Sequence, residues 1–260
     1  MTGSSVVQGE LWGARPRDWA ELMEMEMRPL YEAVFTKANI RLGTEVLDVG
    51  CGSGLFLQLA DARGARLTGI DASSALLAIA RRRVPRGDLR QGEIEDLPFE
   101  DATFDVVTGF NSFQYAADPV NALREARRVK KLDAPLFIAT WGRAEECEAA
   151  GYIAAVGANL PAPPPGAPGP FALSEPGALE RLAQSAGLTP GKHIAVNCLW
   201  QFSNLDTALR GLLSAGPAVK AMRHTSEAQV RRAVAEAIAP FRTSRGAYQL
   251  ENTFRYLITY

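Results

Sequence analysis

Three glycines at alternate positions, Gly50, Gly52 and Gly54, mark the stretch best suited to hold a ligand. Glycine tolerates positive φ angles, and because it has no Cβ atom a ligand can approach the backbone closely. Residues 44–49 have the apolar run of a buried strand, and residues 55–62 have the apolar period of a helix. Amides at the start of that helix favour electron-rich groups. The pattern predicts a nucleotide-sized site at a strand-to-helix turn.

The spacing of these glycines separates two classes of nucleotide site. The dinucleotide pattern G-x-G-x-x-G requires a glycine or alanine three residues after the second glycine. Leu55 occupies that position in this chain, and Gly54 precedes it by one residue. The spacing of the glycines therefore argues against an NAD(P)-dependent oxidoreductase, which is kept as the less favoured alternative.

An acid inside the first strand completes the motif. The segment Asp48-x-Gly50-x-Gly52-x-Gly54 resembles motif I of the class I S-adenosylmethionine (SAM) methyltransferases. The order of the later elements extends the resemblance to about Trp141, and more weakly to the C-terminus. The chain looks most like the methyltransferase type 11 group, whose methyl acceptors are small molecules. The resemblance implies SAM as the cofactor.

A second acid follows the second predicted strand, residues 65–71. In nucleotide-binding folds such an acid accepts hydrogen bonds from ribose hydroxyls, which predicts this role for Asp71. Asp71 could instead cap the helix that begins near residue 75. Ser73 or Ser74 can cap that helix unaided, so the ribose role is preferred.

The resemblance implies an adenine site after the third strand, residues 88–92. In the family, an acid directly after this strand accepts from the adenine amino group, and the next amide meets the ring. Glu93 and Ile94 match these positions, although the usual acid is aspartate. A merely polar loop is the competing interpretation.

The fourth strand, residues 103–110, opens into a segment that resembles the family's motif IV, where the chain passes the transferable methyl group. Asn111 can both donate and accept hydrogen bonds, and the ring of Phe110 can face a sulfonium. Phe113 and Tyr115 could be core residues only. The predicted cofactor-binding residues are Asp48, Gly50, Cys51, Gly52, Gly54, Asp71, Ala72, Glu93, Ile94, Phe110 and Asn111.

The predicted fold is α/β: a doubly wound, Rossmann-like and mostly parallel sheet of seven strands, with an antiparallel last strand and helical additions. We expect a single domain over residues 1–260, with a helical segment at 1–43, a SAM-binding core at 44–141 and a C-terminal part at 142–260. The helices at 1–43 could pack on the body or act as a lid, and packing is preferred.

In the C-terminal part, the pattern predicts helices over 145–160 and 174–186, a stiff proline-rich loop over 161–170, and strands over 193–202 and 251–260. The last two strands are usually joined by a short hairpin in such folds. An insertion at about 203–245, with helical stretches at 205–213 and 227–239, is therefore a candidate cap over the substrate.

Composition narrows the functional classes. The formal charge of -1 over 260 residues offers no positive field for nucleic acid. We expect no membrane span and no signal peptide. The three cysteines are far apart in the sequence and predict neither disulfides nor a metal site, which is in keeping with a cytoplasmic protein. Cys51 is interpreted as a small loop residue, not a nucleophile. A monomer or homodimer is expected.

Methyl transfer from a sulfonium requires mainly alignment and exclusion of water, and a general base only if the acceptor must lose a proton. His224, in the presumed cap, is a weak candidate for that base. The leading prediction is a methyltransferase acting on an O, N or C nucleophile of a small molecule. A SAM-fold protein that catalyses another reaction or supports a partner is the alternative.

Overall fold

The computed structural model describes residues 3–162 and 169–260. Within them, seven strands form one sheet: β1 (Glu45–Val49), β2 (Arg66–Asp71), β3 (Asp88–Gln91), β4 (Val106–Phe110), β5 (Leu136–Trp141), β6 (Pro190–Phe202) and β7 (Tyr248–Thr259). Their order is β3-β2-β1-β4-β5-β7-β6. Strands β1 to β5 pair in parallel, and β7 is antiparallel to both of its neighbours. The predicted seven-stranded, doubly wound sheet is confirmed.

The helices of the described residues cover both faces of the sheet. They are α1 (Ser5–Trp12), α2 (Pro16–Asp18), α3 (Arg28–Ala38), α4 (Leu55–Asp61), α5 (Ser74–Arg83), α6 (Pro119–Val129), α7 (Ala150–Gly157), α8 (Ala178–Ser185), α9 (Leu205–Leu212), α10 (Gly216–His224) and α11 (Glu227–Ile238). None of the helices within residues 3–162 and 169–260 has the length and apolar character that a bilayer span requires.

Two apolar clusters hold the helices on the sheet. On one face, α3, α4 and α5 pack together with the helices of the C-terminal part, and the rings of Phe35 and Phe56 stack at 4.7 Å. On the other face, α6 and α8 bury residues such as Leu123 and Leu179. Since both faces are covered, the central strands are mostly apolar, and Asp48 and Thr108 are buried polar exceptions.

The sheet order reverses between β1 and β4, which lie side by side at its centre. In doubly wound sheets, ligands bind beyond the carboxyl ends of the strands at this reversal. The fold therefore places the segments after β1 and β4 together, as the sequence predicts.

Side-chain caps start several helices where the sequence places them. Ser73 accepts from the Leu76 amide at the start of α5, and Asp118 accepts from the Asn121 amide at the start of α6. Pro119 follows at the first helical position, where its missing N–H is not needed. The prediction that a serine caps α5 is confirmed.

The expected helix over 145–160 is wrong in its first part. A 3₁₀ turn, Ala144–Glu146, comes first, and α7 begins only at Ala150. The intervening chain pairs with β7, because the Glu148 amide donates to the Glu251 carbonyl and the Ala149 amide to the Asn252 side chain. Residues 163–168 of the predicted proline-rich loop lie outside the described residues.

The region between β6 and β7 contains three helices, α9 to α11, rather than the two that the sequence indicates. The missed helix α10 begins with Gly216-Pro217, a dipeptide typical of loops, but proline is also favoured in the first turn of a helix. Strand β7 begins at Tyr248, three residues earlier than expected.

Candidate functional site

The glycine turn, residues 50–54, connects β1 to α4. All three of its glycines have positive φ angles, between 53° and 83°. The amides of Gly50 and Cys51 donate to the Ile70 carbonyl on β2, at 2.8 and 3.0 Å. These bonds fix the turn against the end of the second strand.

Gly50 lies against the chain that leaves β4. A Cβ atom on Gly50 would come within 2.4 Å of the Cβ of Ser112. The Ser112 hydroxyl oxygen is buried and has no hydrogen-bond partner among the residues that the structure describes. A side chain at position 50 would therefore separate the ends of the two central strands.

Asp71, the last residue of β2, holds the turn from one side. Its Oδ2 accepts from the Gly52 amide and its Oδ1 from the Ser73 amide, both at 2.8 Å. Burial raises the pKa of Asp71 to about 6, against these two bonds, which lower it. A carboxylate oxygen can accept more than one hydrogen bond, so the predicted ribose contact is compatible with this bracing.

Asp48 lies below the turn, within β1. It is 2 % exposed, and its Oδ1 accepts a hydrogen bond of 2.8 Å from the Thr108 hydroxyl on β4. The pKa of Asp48 is raised to about 7, chiefly by burial and also by the nearby carboxylates of Glu24 and Asp71, against the bond from Thr108, which lowers it. Asp48 thus links the two central strands from inside the sheet.

The predicted adenine site is contacted by the N-terminal helix. Oε2 of Glu93 accepts from the Ser5 amide at 2.8 Å, and its Oε1 accepts from its neighbour's amide, Ile94, at 2.9 Å. Helix α1 also packs closely on Ala72, because a Cβ on Gly9 would lie 2.4 Å from the Ala72 carbonyl oxygen. Three predicted cofactor residues therefore lie under or beside α1.

At the end of β4, the half-buried Phe110 packs against the rings of Tyr31 and Phe56, at 4.7 and 4.8 Å between centroids. Asn111 has a left-handed φ of 50°, a conformation that is uncommon for non-glycine residues but more accessible to asparagine than to most. Its Oδ1 accepts from the Gln114 side chain at 3.2 Å. The segment therefore presents an aromatic ring and neutral amides.

The chain from α1 to residue 27, called here the N-terminal segment, covers the turn. Trp12 meets Trp19 and Tyr115 edge-on, with ring centroids 4.9 and 5.4 Å away. A Cβ on Gly52 would lie 3.6 Å from the Trp19 indole nitrogen. The segment is thus in contact with the residues that follow β1, β2, β3 and β4.

Residues 47–138 match the family described as a methyltransferase domain. This region of the chain is therefore similar to a methyltransferase domain. The matched region extends from inside β1 into β5, and so contains the glycine turn, Asp48, Asp71 and the segment after β4.

Similar curated proteins include the ubiquinone biosynthesis O-methyltransferases of Haemophilus ducreyi and Azotobacter vinelandii. The first is 33% identical over 127 residues, which are 45% of this chain and 54% of the relative. The second is 35% identical over 131 residues, or 46% and 56% of the two chains. The chain thus spans about half the length of the curated relatives that it matches.

Solved structures resemble most of the fold, including parts outside the matched region. The [4+2]-cyclase SpnF is 22% identical, with a TM-score of 0.55 over 87% of this chain and 80% of its own. A candidate methyltransferase from Bacillus halodurans is 16% identical, with a TM-score of 0.58 over 88% of this chain and 97% of its own. At these identities the likeness concerns the fold alone.

Two further residues considered in the sequence differ in position: His224 lies apart from the contacts described above, and Cys51 lies within the glycine turn. His224 is exposed at the C-terminal end of α10. Cys51 is buried in the turn, where burial raises its pKa well above the ordinary value for a thiol. Since the thiolate is the reactive form, Cys51 suits a structural role in the glycine turn.

Glu24 was not predicted from the sequence as a site residue, yet it is 3 % exposed and contacts the glycine turn. The sequence does contain a pattern that could have indicated Glu24. Glu24, Met27 and Tyr31 recur at helical spacing and are all buried. An acid on the apolar face of a predicted helix indicates a buried partner.

Asp48 predicts a pH dependence of stability. The folded protein raises its pKa from the ordinary 3.8 to about 7, so the folded state binds the proton more tightly than the unfolded state. The contribution of Asp48 is therefore most favourable below its ordinary pKa, and is lost as the pH rises through its folded value. We expect Asp48→Asn, measured by urea unfolding between about pH 5 and pH 8, to flatten this decline. A part of the decline in stability should persist in the variant, because burial raises the pKa values of Glu24 and Asp71 as well. An identical slope in the variant would contradict the assignment.

Proposed function

We propose that this protein is a SAM-dependent methyltransferase that moves a methyl group to an O, N or C nucleophile of a small molecule. The observation that carries the proposal is the contact between Asp71 and the Gly52 amide at the sheet's reversal point. It joins an acid suited to ribose with a turn whose glycines leave room for a ligand.

The residues around the turn fit such a cofactor. A Cβ on Gly52 would fill the space between the turn and Trp19, and the glycine keeps that space free. The buried hydroxyl of Ser112, without a partner among the described residues, adds an unused polar group beside the turn. When bound, SAM would supply a methyl group already activated by its sulfonium.

The chain's own residues would then bind, orient and exclude water. Asp71 would accept from the ribose, and Glu93 and Ile94 would meet the adenine after exchanging the hydrogen bonds they now make to Ser5 and to each other. The Phe110 ring would lie near the sulfonium, where an aromatic face attracts a cation. Aligning the acceptor in a dry site supplies most of the rate enhancement that this chemistry needs.

The names of the similar curated proteins favour an oxygen nucleophile among the three possible acceptors. The match covers about half of each relative, so the acceptor itself is not carried over. The fold is shared with the [4+2]-cyclase SpnF, and a reaction other than methyl transfer is therefore the outcome that a test must separate.

The test is incubation with SAM and a panel of phenols, catechols, amines and activated carbon acids, followed by mass spectrometry. We expect one class to gain the mass of a methyl group in place of a hydrogen, with S-adenosylhomocysteine formed in equal amount. Binding of SAM without methylation of any acceptor, together with a changed skeleton in one of them, would favour the alternative.

A further inference from the structure

Glu24 is a buried acid on the N-terminal segment. Its carboxylate is 3 % exposed and accepts from the Ser53 hydroxyl at 2.5 Å and from the Leu55 amide at 3.4 Å. It also forms an ion pair with Arg83 of α5. Glu24 therefore contacts the glycine turn at Ser53, the first residue of α4 and the helix α5 that follows β2.

Arg83 also connects the N-terminal segment to the glycine turn, from its position on α5. Its guanidinium is 18% exposed and donates to the Ser53 carbonyl at 3.0 Å and to the Ala20 carbonyl at 2.9 Å. Ala20 belongs to the N-terminal segment, as Glu24 does. One ion pair thus joins the N-terminal segment, the glycine turn and α5.

Two carboxylates consequently hold the glycine turn from different elements. Asp71 binds the Gly52 amide from β2, and Glu24 binds Ser53 and Leu55 from the N-terminal segment. A Cβ on Gly52 would lie 3.5 Å from Oε1 of Glu24 and 3.6 Å from the Trp19 indole nitrogen. The Glu24 carboxylate and the Trp19 indole therefore face the side of the turn that glycine leaves open.

The ion pair contributes more to geometry than to stability. Burial raises the pKa of Glu24, and the charge of Arg83 and the bonds from Ser53 and Leu55 oppose this effect. Buried ion pairs are worth little net folding free energy, because desolvation offsets the attraction, but an unpaired buried charge is strongly unfavourable. The pair therefore favours one arrangement of the segment and the turn.

We propose that Glu24 is a positioning residue for the cofactor: it couples the closure of the N-terminal segment over Gly52 to the conformation of the glycine turn. This inference rests on the proposed function, since it concerns the same site. Movement of the segment away from Gly52 removes two bonds to the turn, and a ligand that orders the turn favours the closed segment.

The test compares wild type, Glu24→Gln and the matched control Glu21→Gln. Glu21 is an exposed acid of the same segment, three residues earlier. We expect E24Q to weaken binding of S-adenosylhomocysteine about fivefold by calorimetry, or ~1 kcal/mol. Amide exchange of residues 16–27 and of the turn should become faster, and the ligand should slow it less than in wild type. E21Q should match wild type in both measurements.

The location of the faster amide exchange distinguishes a positioning role of Glu24 from a general loss of stability. A general loss of stability would accelerate amide exchange throughout the sheet. Arg83→Gln breaks the same ion pair from α5 and serves if E24Q does not fold. Unchanged binding of S-adenosylhomocysteine by E24Q would overturn the proposal. Tighter binding would also overturn it, because Glu24 would then occupy space that the cofactor needs. A wild-type protein that binds neither SAM nor S-adenosylhomocysteine would instead contradict the proposed function, while exchange without ligand would still test the coupling.

Discussion

Asp71→Ala is expected to weaken binding of S-adenosylhomocysteine by at least tenfold. The variant loses the bonds to the Gly52 and Ser73 amides as well as the proposed contact with the ribose. Hydrogen bonds to a charged group are each worth about 1.5–3 kcal/mol, and ~1.4 kcal/mol corresponds to tenfold in affinity. Isothermal calorimetry on the purified variant measures the change.

The matched control is Asp61→Ala, which removes an aspartate from α4 whose side chain pairs, among the described residues, with exposed Arg86 alone, at 3.6 Å. We expect wild-type affinity from this variant. Asp71→Asn keeps the shape of the side chain but loses its charge and one of its two acceptor oxygens. Unchanged affinity in a folded Asp71→Ala protein would remove Asp71 from the site.

Gly50→Ala is expected to have a still larger effect, lowering the affinity for S-adenosylhomocysteine roughly a hundredfold, or ~3 kcal/mol. Its φ of 77° is strained for any residue with a Cβ. The added Cβ would also lie 2.4 Å from the Cβ of Ser112, so the chain after β4 must move. Both calorimetry and the melting temperature should report this change.

Gly43→Ala isolates the contribution of the backbone. Gly43 has a similar φ of 80°, but nothing lies within 4 Å of the position its Cβ would take. We therefore expect a modest fall in melting temperature and unchanged ligand affinity. If Gly50→Ala behaves in the same way, the close approach of the β1 and β4 ends does not matter for binding.

Features that depend on neighbouring residues follow from the sequence. The glycine turn, the acid at the end of β2 and the serine cap of α5 are each indicated by residues within a few positions of the feature itself. Apolar runs between these signals suffice to predict the strands, because buried parallel strands need no partner-specific residues. The order of the core elements was therefore predictable.

Features that depend on distant contacts did not follow. Glu24 reaches Arg83, 59 residues away, and Ser5 reaches Glu93, 88 residues away. The start of α7 depends on pairing with Asn252, 103 residues later. Local apolar spacing contains no information about these partners, so the N-terminal segment's contacts with the site emerged only from the structure.

The most direct test of the central claim is calorimetry of the wild-type protein with S-adenosylhomocysteine, NAD and NADP in parallel. We predict binding of one S-adenosylhomocysteine per chain in the micromolar range, and no heat of binding from either dinucleotide. Binding of NAD or NADP with no binding of S-adenosylhomocysteine would contradict a SAM site at the glycine turn.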